Sequence, residues 1–298
     1  MKKLAIIAAA VLASVALISC NGGNGTNGGD GGEEEAPVSY DIVLCIGQSN
    51  MSGFGGVMLP GDEDPIPNAY QLNNNGEIIP AAAPLNFFSS VRKKIALQQV
   101  NPAFQFAKDV ASKSENPLLI VGNARGGTSI HQWQKDATPV TFTQEGNDDP
   151  WLWGTAVGNL FDEAVRRCKQ AMEYGELKGI LWHQGGGDSN ENASARYLSD
   201  LKQFVDDLRD ALGVGPEVPF IAGELYHGHK NAAYFNPMIQ TVGDHIEGCY
   251  WVSAEGVTVG PDGVHFDRKG QILFGGRYAA KYLEIVEAQK AVTVETEK

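Results

Sequence analysis

From residue 40 onward, short apolar runs alternate with longer amphipathic segments, and this alternation restricts the possible folds more than any other feature. The apolar runs cover 40–46, 118–121, 179–182, 219–222 and 249–252; helical periodicity covers 102–112, 155–172, 197–212, 237–246 and 271–286. Strands that alternate with helices form right-handed βαβ units and a mainly parallel sheet. We therefore predict an α/β fold with about five strands. The stretches 51–100 and 128–154 show no period, and loops of that length are usually functional.

The first residues predict a targeting segment that is not part of the fold. Lys2 and Lys3 precede an apolar run over 4–18, which has signal-peptide length and is short for a bilayer span. The run ends at Ser19-Cys20, which resembles the bacterial lipobox, in which the cysteine is lipidated and becomes N-terminal after cleavage. An ordinary signal peptide with an incidental cysteine is the alternative. We expect a lipid-anchored protein of the bacterial cell envelope, periplasmic or on the outer-membrane surface.

Composition divides the rest of the chain into a tether and a globular body. Seven of the fifteen residues over 21–35 are glycine, which is typical of a flexible linker. We predict a signal peptide over 1–19, a tether over 20–37, one domain over 38–290 and a tail over 291–298. The formal net charge of −13, without a cluster of Lys and Arg, argues against nucleic acid as a partner.

Three cysteines remain once Cys20 is assigned to the lipid. Cys45 and Cys249 lie in predicted strands and Cys168 lies in a predicted helix, so we expect them to act as small buried apolar side chains. The chain has no CxxC pair, the pattern of zinc cages and thioredoxin-type motifs.

Residues that can carry chemistry follow the predicted strands. Ligands of open α/β sheets bind beyond the carboxyl ends of the strands. The segments at those positions are 47–51, 123–129, 183–186, 223–224 and 262–265. They contain a serine, a histidine with an aspartate three residues before it, several glycines and amide side chains. We expect the functional site at this edge of the sheet.

Ser49 is the candidate nucleophile of this edge. A serine hydroxyl needs a neighbouring base that takes its proton, and His265 is the candidate base. Asp262 is placed to bind the other imidazole nitrogen and to fix its tautomer. The alternatives are a helix cap for Ser49 and a turn residue for Asp262.

Donors to an oxyanion are also present in the same segments. The backbone N–H of Ser49, the N–H of Gly126 or Gly127, and the side-chain amide of Gln184 are the candidates. The alternative for Gln184 is that it satisfies backbone groups of a loop.

Four segments resemble the sequence blocks of a known family. They are Gly47-Gln48-Ser49-Asn50-Met51, Gly126-Gly127-Thr128-Ser129-Ile130 with Trp133, Trp182-His183-Gln184-Gly185, and Asp262-Gly263-Val264-His265. Together they are similar to the SGNH-type esterases of the sialate O-acetylesterase-like group, which includes the acetylxylan esterases of carbohydrate esterase family six. The resemblance extends over residues 40–287.

This resemblance implies a three-layer α/β/α fold and hydrolysis of O-acetyl esters on sugars, such as acetylated xylan or sialate-like glycans, without a metal or organic cofactor. It also implies roles for particular residues. Ser49 is the nucleophile, His265 the base and Asp262 its orienter, with Gly126 and Gln184 as oxyanion donors.

One position departs from the family pattern. The block usually reads Trp-x-Gln-Gly-Glu-x-Asp, whereas this chain has Gly186 in place of the glutamate. The change either makes Asp262 more important for orienting His265 or lowers the activity, and Asp188 and Glu224 remain open as substitutes for the lost carboxylate. It also leaves open a glycan-binding lipoprotein with a decayed hydrolase site, besides an esterase of other acyl or of peptidoglycan O-acetyl specificity.

Contacts with the substrate are expected from Gln48, Asn50, Trp133 and His183. Aromatic faces stack well on sugar rings, so the tryptophans of the long loop are candidates for a sugar platform, with core packing as an equal alternative. These tryptophans are Trp133, Trp151 and Trp153.

Overall fold

The computed structural model describes residues 39–138 and 159–296, with side chains through residue 292. The predicted signal peptide, the tether with Cys20, and Trp151 and Trp153 lie outside the described residues. Within the described ranges, no helix has the length and apolar character needed to cross a membrane.

Seven strands form one sheet in the order β3-β2-β4-β1-β5-β6-β7. They are β1 (Tyr40–Gly47), β2 (Ala69–Leu72), β3 (Ile78–Pro80), β4 (Leu118–Gly122), β5 (Gly175–His183), β6 (Phe220–Gly223) and β7 (Cys249–Val252). Only the β2–β3 pair is antiparallel. The predicted α/β fold with a mainly parallel sheet is confirmed. The two additional strands, β2 and β3, were not predicted because neither contains three consecutive apolar residues.

Seven α-helices lie between these strands or after the last of them in the described residues. They are α1 (Ser49–Ser52), α2 (Pro102–Ala111), α3 (Leu160–Met172), α4 (Glu191–Leu212), α5 (Ala232–Ile239), α6 (Val242–His245) and α7 (Arg268–Thr296).

Three of the predicted helices differ from those observed. Helix α4 begins six residues before the predicted start, because the Asn190 side chain accepts a hydrogen bond from the Ala193 N–H and caps it. The single helix predicted over 237–246 is wrong: Pro237 lies inside α5, and the chain breaks between α5 and α6. Helix α7 continues past the predicted end at 286 and takes in most of the predicted tail.

The central strand β1 holds two apolar layers together. Ile42, Leu44 and Ile46 pack into the cluster that contains the buried side chains of α3 and α4. Val43 and Cys45 pack into the cluster formed with α2 and α7. A strand buried on both faces reads as a continuous apolar run, which is why β1 was evident from the sequence.

The three described cysteines are free and buried, as expected. Burial raises the pKa of Cys168 and of Cys249 to about 12, so both remain neutral thiols.

The order of the sheet fixes where a ligand can bind. After β1 the chain builds β2, β3 and β4 on one side of it, and β5, β6 and β7 on the other. Such a reversal opens a crevice beyond the carboxyl ends of the central strands. The residue pair Gln48-Ser49 follows β1 directly at this crevice.

Candidate active site

Ser49 is held at a sharp corner between β1 and α1. Gly47, the last residue of β1, has a φ of +134°, in the region that favours glycine. A Cβ atom at position 47 would lie 2.3 Å from the carbonyl oxygen of His183, so the close approach of β1 to β5 also requires glycine. Ser49 then begins α1 and faces the crevice.

Ser49, His265 and Asp262 form one hydrogen-bonded chain. Ser49 Oγ lies 2.9 Å from His265 Nε2, although the two residues are 216 positions apart. His265 Nδ1 lies 2.6 Å from Asp262 Oδ2. Because a carboxylate only accepts, Nδ1 carries the ring hydrogen and Nε2 is left to accept from the Ser49 hydroxyl.

Asp262 is fixed as an ionised acceptor. Its Oδ1 accepts hydrogen bonds from the backbone N–H groups of Val264 (3.0 Å) and His265 (2.9 Å). Partial burial acts to raise the pKa of Asp262, but the hydrogen bonds from the His265 side chain and from these two N–H groups outweigh it and lower the pKa to about 2. The carboxylate is therefore charged throughout the range in which histidine titrates.

Helix α1 and the residues that follow it also position the loop that carries the histidine. Asn50 Oδ1 accepts a hydrogen bond from the Phe266 N–H at 2.9 Å. The Phe54 ring packs edge-on against the His265 ring, with 4.2 Å between centroids. A Cβ at Gly55, whose φ is +93°, would lie 2.6 Å from the Phe266 oxygen, so glycine permits this contact. Asn50 therefore helps to position this loop, and its predicted contact with the substrate stays a prediction.

Gly126 closes the other side of Ser49. A Cβ atom at position 126 would lie 3.3 Å from the Ser49 Cβ, so the backbone of this segment lies directly against the serine. The N–H of Ser49 belongs to the first turn of α1, where backbone donors have no partner within the helix. The backbone N–H groups of Ser49 and Gly126 stay the predicted donors to an oxyanion.

A pocket of about 270 Å³ opens onto these residues. Its lining consists of Ser49, Ser52, Phe54, Lys93, Leu97, Gln98, Gly126, Gly127 and His265. A larger cavity of about 700 Å³ beside β7 and α7 contains none of the predicted site residues, so the chemistry belongs to the smaller pocket.

Gln184 does not have the geometry of an oxyanion donor. Its Nε2 donates to the Thr128 carbonyl oxygen at 2.9 Å and to Asp188 Oδ2 at 2.6 Å, which uses both amide hydrogens. Its Oε1 accepts from the Tyr197 hydroxyl at 2.7 Å, which fixes the orientation of the amide. The predicted oxyanion role is therefore corrected. Gln184 satisfies a backbone carbonyl of the loop that follows β4, which is its alternative role.

His183 and Trp133 do not reach the substrate side, and both predicted contacts are corrected. His183 is fully buried, its ring packs against Phe266 and Phe274, and its Nε2 lies 3.0 Å from the Glu224 carbonyl oxygen. Burial lowers the pKa of His183 to about 4, so the ring is neutral. Trp133 is also fully buried and packs against Trp182, the core alternative.

Neither alternative carboxylate contacts His265. Glu224 is fully buried and accepts from His227 (2.7 Å), from Ser253 (3.0 Å) and from the backbone of Ala254 (2.8 Å). The carboxylate of Asp188 accepts from Gln184 and from the N–H of Ile130. Among the described residues, Asp262 is the only carboxylate bound to His265.

Gly186 leaves space that the Gln48 amide occupies. A Cβ atom at position 186 would lie 2.8 Å from Gln48 Nε2. Gln48 is almost fully buried, and the predicted substrate contact through this side chain stays a prediction.

Five pocket residues were missed by the sequence reasoning: Ser52, Phe54, Lys93, Leu97 and Gln98. All five lie in the stretch without periodicity, and none belongs to a recognised block. In the described part of the chain, no group of three or more His, Cys, Asp or Glu residues is arranged to hold a metal ion.

The seven-stranded sheet, with helices on both faces and Ser49 at the carboxyl end of its central strand, defines an SGNH-like esterase fold. The family model of carbohydrate esterases described as sialic acid-specific acetylesterases matches residues 39–284. The chain belongs to this family, and its class is therefore that of the carbohydrate acetylesterases, which are carboxylic ester hydrolases.

Individual relatives are distant in sequence. A probable carbohydrate esterase of Arabidopsis thaliana is 25% identical over 282 residues, which cover 88% of this chain and 98% of the relative. The crystal structure of the same Arabidopsis protein aligns with a TM-score of 0.68 and 22% identity, covering 83% of this chain and 98% of that one. NanS aligns with a TM-score of 0.61 and 18% identity, covering 85% and 99% of the two chains. A carbohydrate acetylesterase from Xanthomonas citri aligns with a TM-score of 0.53 and 16% identity, over 80% of this chain and 55% of that one.

Proposed function

We propose that this protein is a serine esterase that removes O-acetyl groups from acetylated carbohydrate, such as acetylated xylan or sialate-like glycans, through an acetyl-enzyme. The observation that carries the proposal is the hydrogen-bonded chain from Ser49 through His265 to Asp262. Membership of the carbohydrate esterase family supports the substrate class.

The first half of the reaction forms the acetyl-enzyme. Ser49 Oγ attacks the acetyl carbonyl carbon while His265 Nε2 takes the hydroxyl proton, and Asp262 stabilises the imidazolium that forms. The N–H groups of Ser49 and Gly126 stabilise the oxyanion. Collapse of this tetrahedral intermediate breaks the ester bond, and His265 gives the proton to the departing sugar oxygen.

The second half releases acetate. A water molecule gives its proton to His265 Nε2 and attacks the acetyl group on Ser49. Collapse of this second intermediate frees acetate and returns the proton to Ser49. No step consumes anything except the ester and water.

Replacement of Ser49 tests the nucleophile. Ser49→Ala removes the attacking oxygen, and we expect kcat for acetate release to fall on the order of 10⁶-fold. An organophosphonate should label the wild type once, at Ser49, and leave the variant unlabelled.

Ser52 provides the matched control, because it lines the same pocket and its Oγ donates to the Ser49 carbonyl oxygen at 2.8 Å without contacting His265. Ser52→Ala should still be labelled at Ser49. Unchanged turnover in folded Ser49→Ala protein would refute the mechanism. A folded wild type that binds acetylated glycans without releasing acetate would favour the glycan-binding alternative.

The localisation is also a proposal: lipidation at Cys20 anchors the protein to the bacterial cell envelope. The support is the Ser19-Cys20 sequence after the apolar run over 4–18. Cys20→Ser should abolish metabolic fatty-acid labelling and remove the protein from the membrane fraction or leave it unprocessed. Equal labelling of wild type and variant would contradict the proposal.

A further inference from the structure

Strand β7 lies at one end of the sheet and has an open side. In the described part of the chain, β7 pairs only with β6. The cavity of about 700 Å³ lies along its other side, between α6 on one face of the sheet and α7 on the other. The strand at the opposite end of the sheet, β3, ends at Pro80, whereas β7 contains neither a proline nor a charged residue. These are the residues that usually prevent an edge strand from pairing with another chain, so β7 is open to such pairing.

The pairing of β7 with β6 determines which of its backbone groups point into the cavity. The Val252 carbonyl oxygen accepts a hydrogen bond from the Glu224 N–H at 3.1 Å, so Val252 faces β6. Because successive residues of a strand direct their N–H and C=O groups to opposite sides, Trp251 faces the cavity. Cys249 and Ser253, two residues before and after it, face the same way. No described residue forms a hydrogen bond with the N–H or C=O of Trp251.

Two of these outward groups already have partners within the chain. The Cys249 N–H donates to the Ile246 carbonyl oxygen at 3.2 Å, and the Ser253 carbonyl oxygen accepts from Arg277 Nη1 at 2.6 Å. The groups left for an added strand are the C=O of Cys249, both groups of Trp251 and the N–H of Ser253. This set is symmetric about Trp251, with an acceptor two residues before it and a donor two residues after it.

A second copy of β7 matches this set of groups. When two copies run antiparallel, with a two-fold axis at Trp251, the N–H of each Trp251 donates to the C=O of the other. The Ser253 N–H of each copy then donates to the Cys249 C=O of the other. All four remaining groups on each copy are satisfied.

The charges along α7 are complementary in the same arrangement. Arg277, near the start of α7, donates to Ser253 after β7, and Gln289, near its end, donates to the carbonyl oxygen of Glu217 before β6. Helix α7 therefore runs opposite to β7, and Arg277 and Glu284 both line the cavity. The four-residue offset between paired strand positions spans about 13 Å, or roughly nine residues of a helix. The two-fold axis thus places Arg277 of one copy near the level of Glu284 of the other.

We propose that β7 is a dimerisation edge, at which two copies of this chain join their seven-stranded sheets into one continuous sheet. The half-buried Trp251 side chain of each copy is covered by the same residue of the other copy, and aromatic pairs across neighbouring strands are stabilising. The inference does not depend on the proposed esterase activity, because β5 and β6 separate β7 from β1, which leads into Ser49.

The oligomeric state of wild type is the first measurement. Sedimentation equilibrium of the purified full-length protein, in detergent, should show a reversible dimer between about 1 and 100 µM. A wild type that stays monomeric over this range would overturn the inference and would leave the cavity beside β7 to an extended segment of another protein. This measurement does not depend on the folding of any variant.

A disulfide tests the register of the pairing. In the proposed dimer, the two Cα atoms at position 251 lie about 5.5 Å apart, within the range that a disulfide spans. Trp251→Cys should therefore give a disulfide-linked dimer on mild oxidation. Tyr250→Cys is the matched control, because position 250 lies opposite position 252 of the second copy, and the two 250 positions are more than about 7 Å apart. Wild type provides the background, since its three described cysteines are buried.

A charge reversal on α7 tests the orientation of the two copies. Glu284 binds Lys281 of its own chain through Oε2 only, so Oε1 remains for Arg277 of the second copy. Glu284→Arg should raise the Kd of the dimer on the order of tenfold, because two such contacts become repulsive in each dimer. Glu287→Arg makes the same change at an exposed position of α7 outside the cavity and should leave Kd unchanged. Equal cross-linking through positions 250 and 251, or equal weakening by the two charge variants, would place the interface elsewhere and overturn the inference.

Discussion

At the scale of single residues, the site depends on which nitrogen of His265 carries the hydrogen. Asp262 accepts from Nδ1 at 2.6 Å and thereby leaves Nε2 free to take the proton of Ser49. The carboxylate itself is held by two backbone N–H groups of its own loop. Because the carboxylates of Asp188 and Glu224 are hydrogen-bonded to other groups, Asp262 is the carboxylate that orients the imidazole.

Asp262→Asn should therefore lower kcat on the order of 10⁴-fold with little change in fold. The amide oxygen can still accept from the two backbone N–H groups, but its NH₂ group then faces Nδ1. This favours the tautomer with hydrogen on Nε2, which cannot accept the serine proton. The measurement is kcat for acetate release by purified variant.

The control is Asp267→Asn, because Asp267 lies in the same loop and accepts from the N–H of Gly270 at 2.8 Å without contacting His265. It should lower stability but keep most of kcat. A loss below about tenfold for Asp262→Asn, or about 1.4 kcal/mol, would mean that another group orients the histidine.

At the scale of elements, Glu224 joins the ends of two strands to a helix. It follows β6, and its carboxylate accepts from the backbone N–H of Ala254 after β7 and from Gln240 after α5. Burial acts to raise the pKa of Glu224, but the hydrogen bonds that it accepts, first from His227, outweigh this effect and lower it. The charged carboxylate therefore stabilises the loops that follow β6 and β7.

Glu224→Gln should lower the free energy of unfolding at pH 7 by about 1–3 kcal/mol, because buried donors lose their acceptor. Since the pKa of Glu224 is lower in the folded state, its contribution is present above the ordinary pKa of a glutamate and is lost as the pH falls through the folded value. The difference between wild type and variant in urea unfolding should thus shrink between pH 7 and acid pH. Glu255→Gln, at an exposed position in the next loop, is the control. A difference that does not vary with pH would contradict this account.

The elements that were predictable are those in which local sequence and tertiary burial agree. The run of β1 and the period of α2 are such cases, and both were predicted to within one residue. Strands β2 and β3 were missed, because neither contains three consecutive apolar residues and each forms through pairing with its neighbours. The break between α5 and α6 is not predicted, because proline is typical of the first turn of a helix, whereas Pro237 lies inside α5.

At the scale of the whole molecule, the order of the sheet brings distant residues to one edge. The rule that ligands bind beyond the carboxyl ends of parallel strands was enough to predict that Ser49, Gly126, Asp262 and His265 meet. It could not predict which side chains turn inward. His183 and Gln184 lie at the end of β5, at the same edge. The Gln184 amide, however, donates hydrogen bonds to Thr128 and Asp188. The His183 ring packs against Phe266 and Phe274. Those outcomes depend on tertiary packing that no local pattern reports.

The most direct test of the central claim is to trap the acetyl group during turnover. Wild type mixed with saturating acetylated sugar and quenched in acid should carry one acetyl group on the peptide that contains Ser49, as measured by mass spectrometry. Asp262→Asn should acquire this group far more slowly, and Ser49→Ala should never carry it. Turnover at the wild-type rate with no acetyl group on Ser49, or with the acetyl group on another residue, would contradict the account.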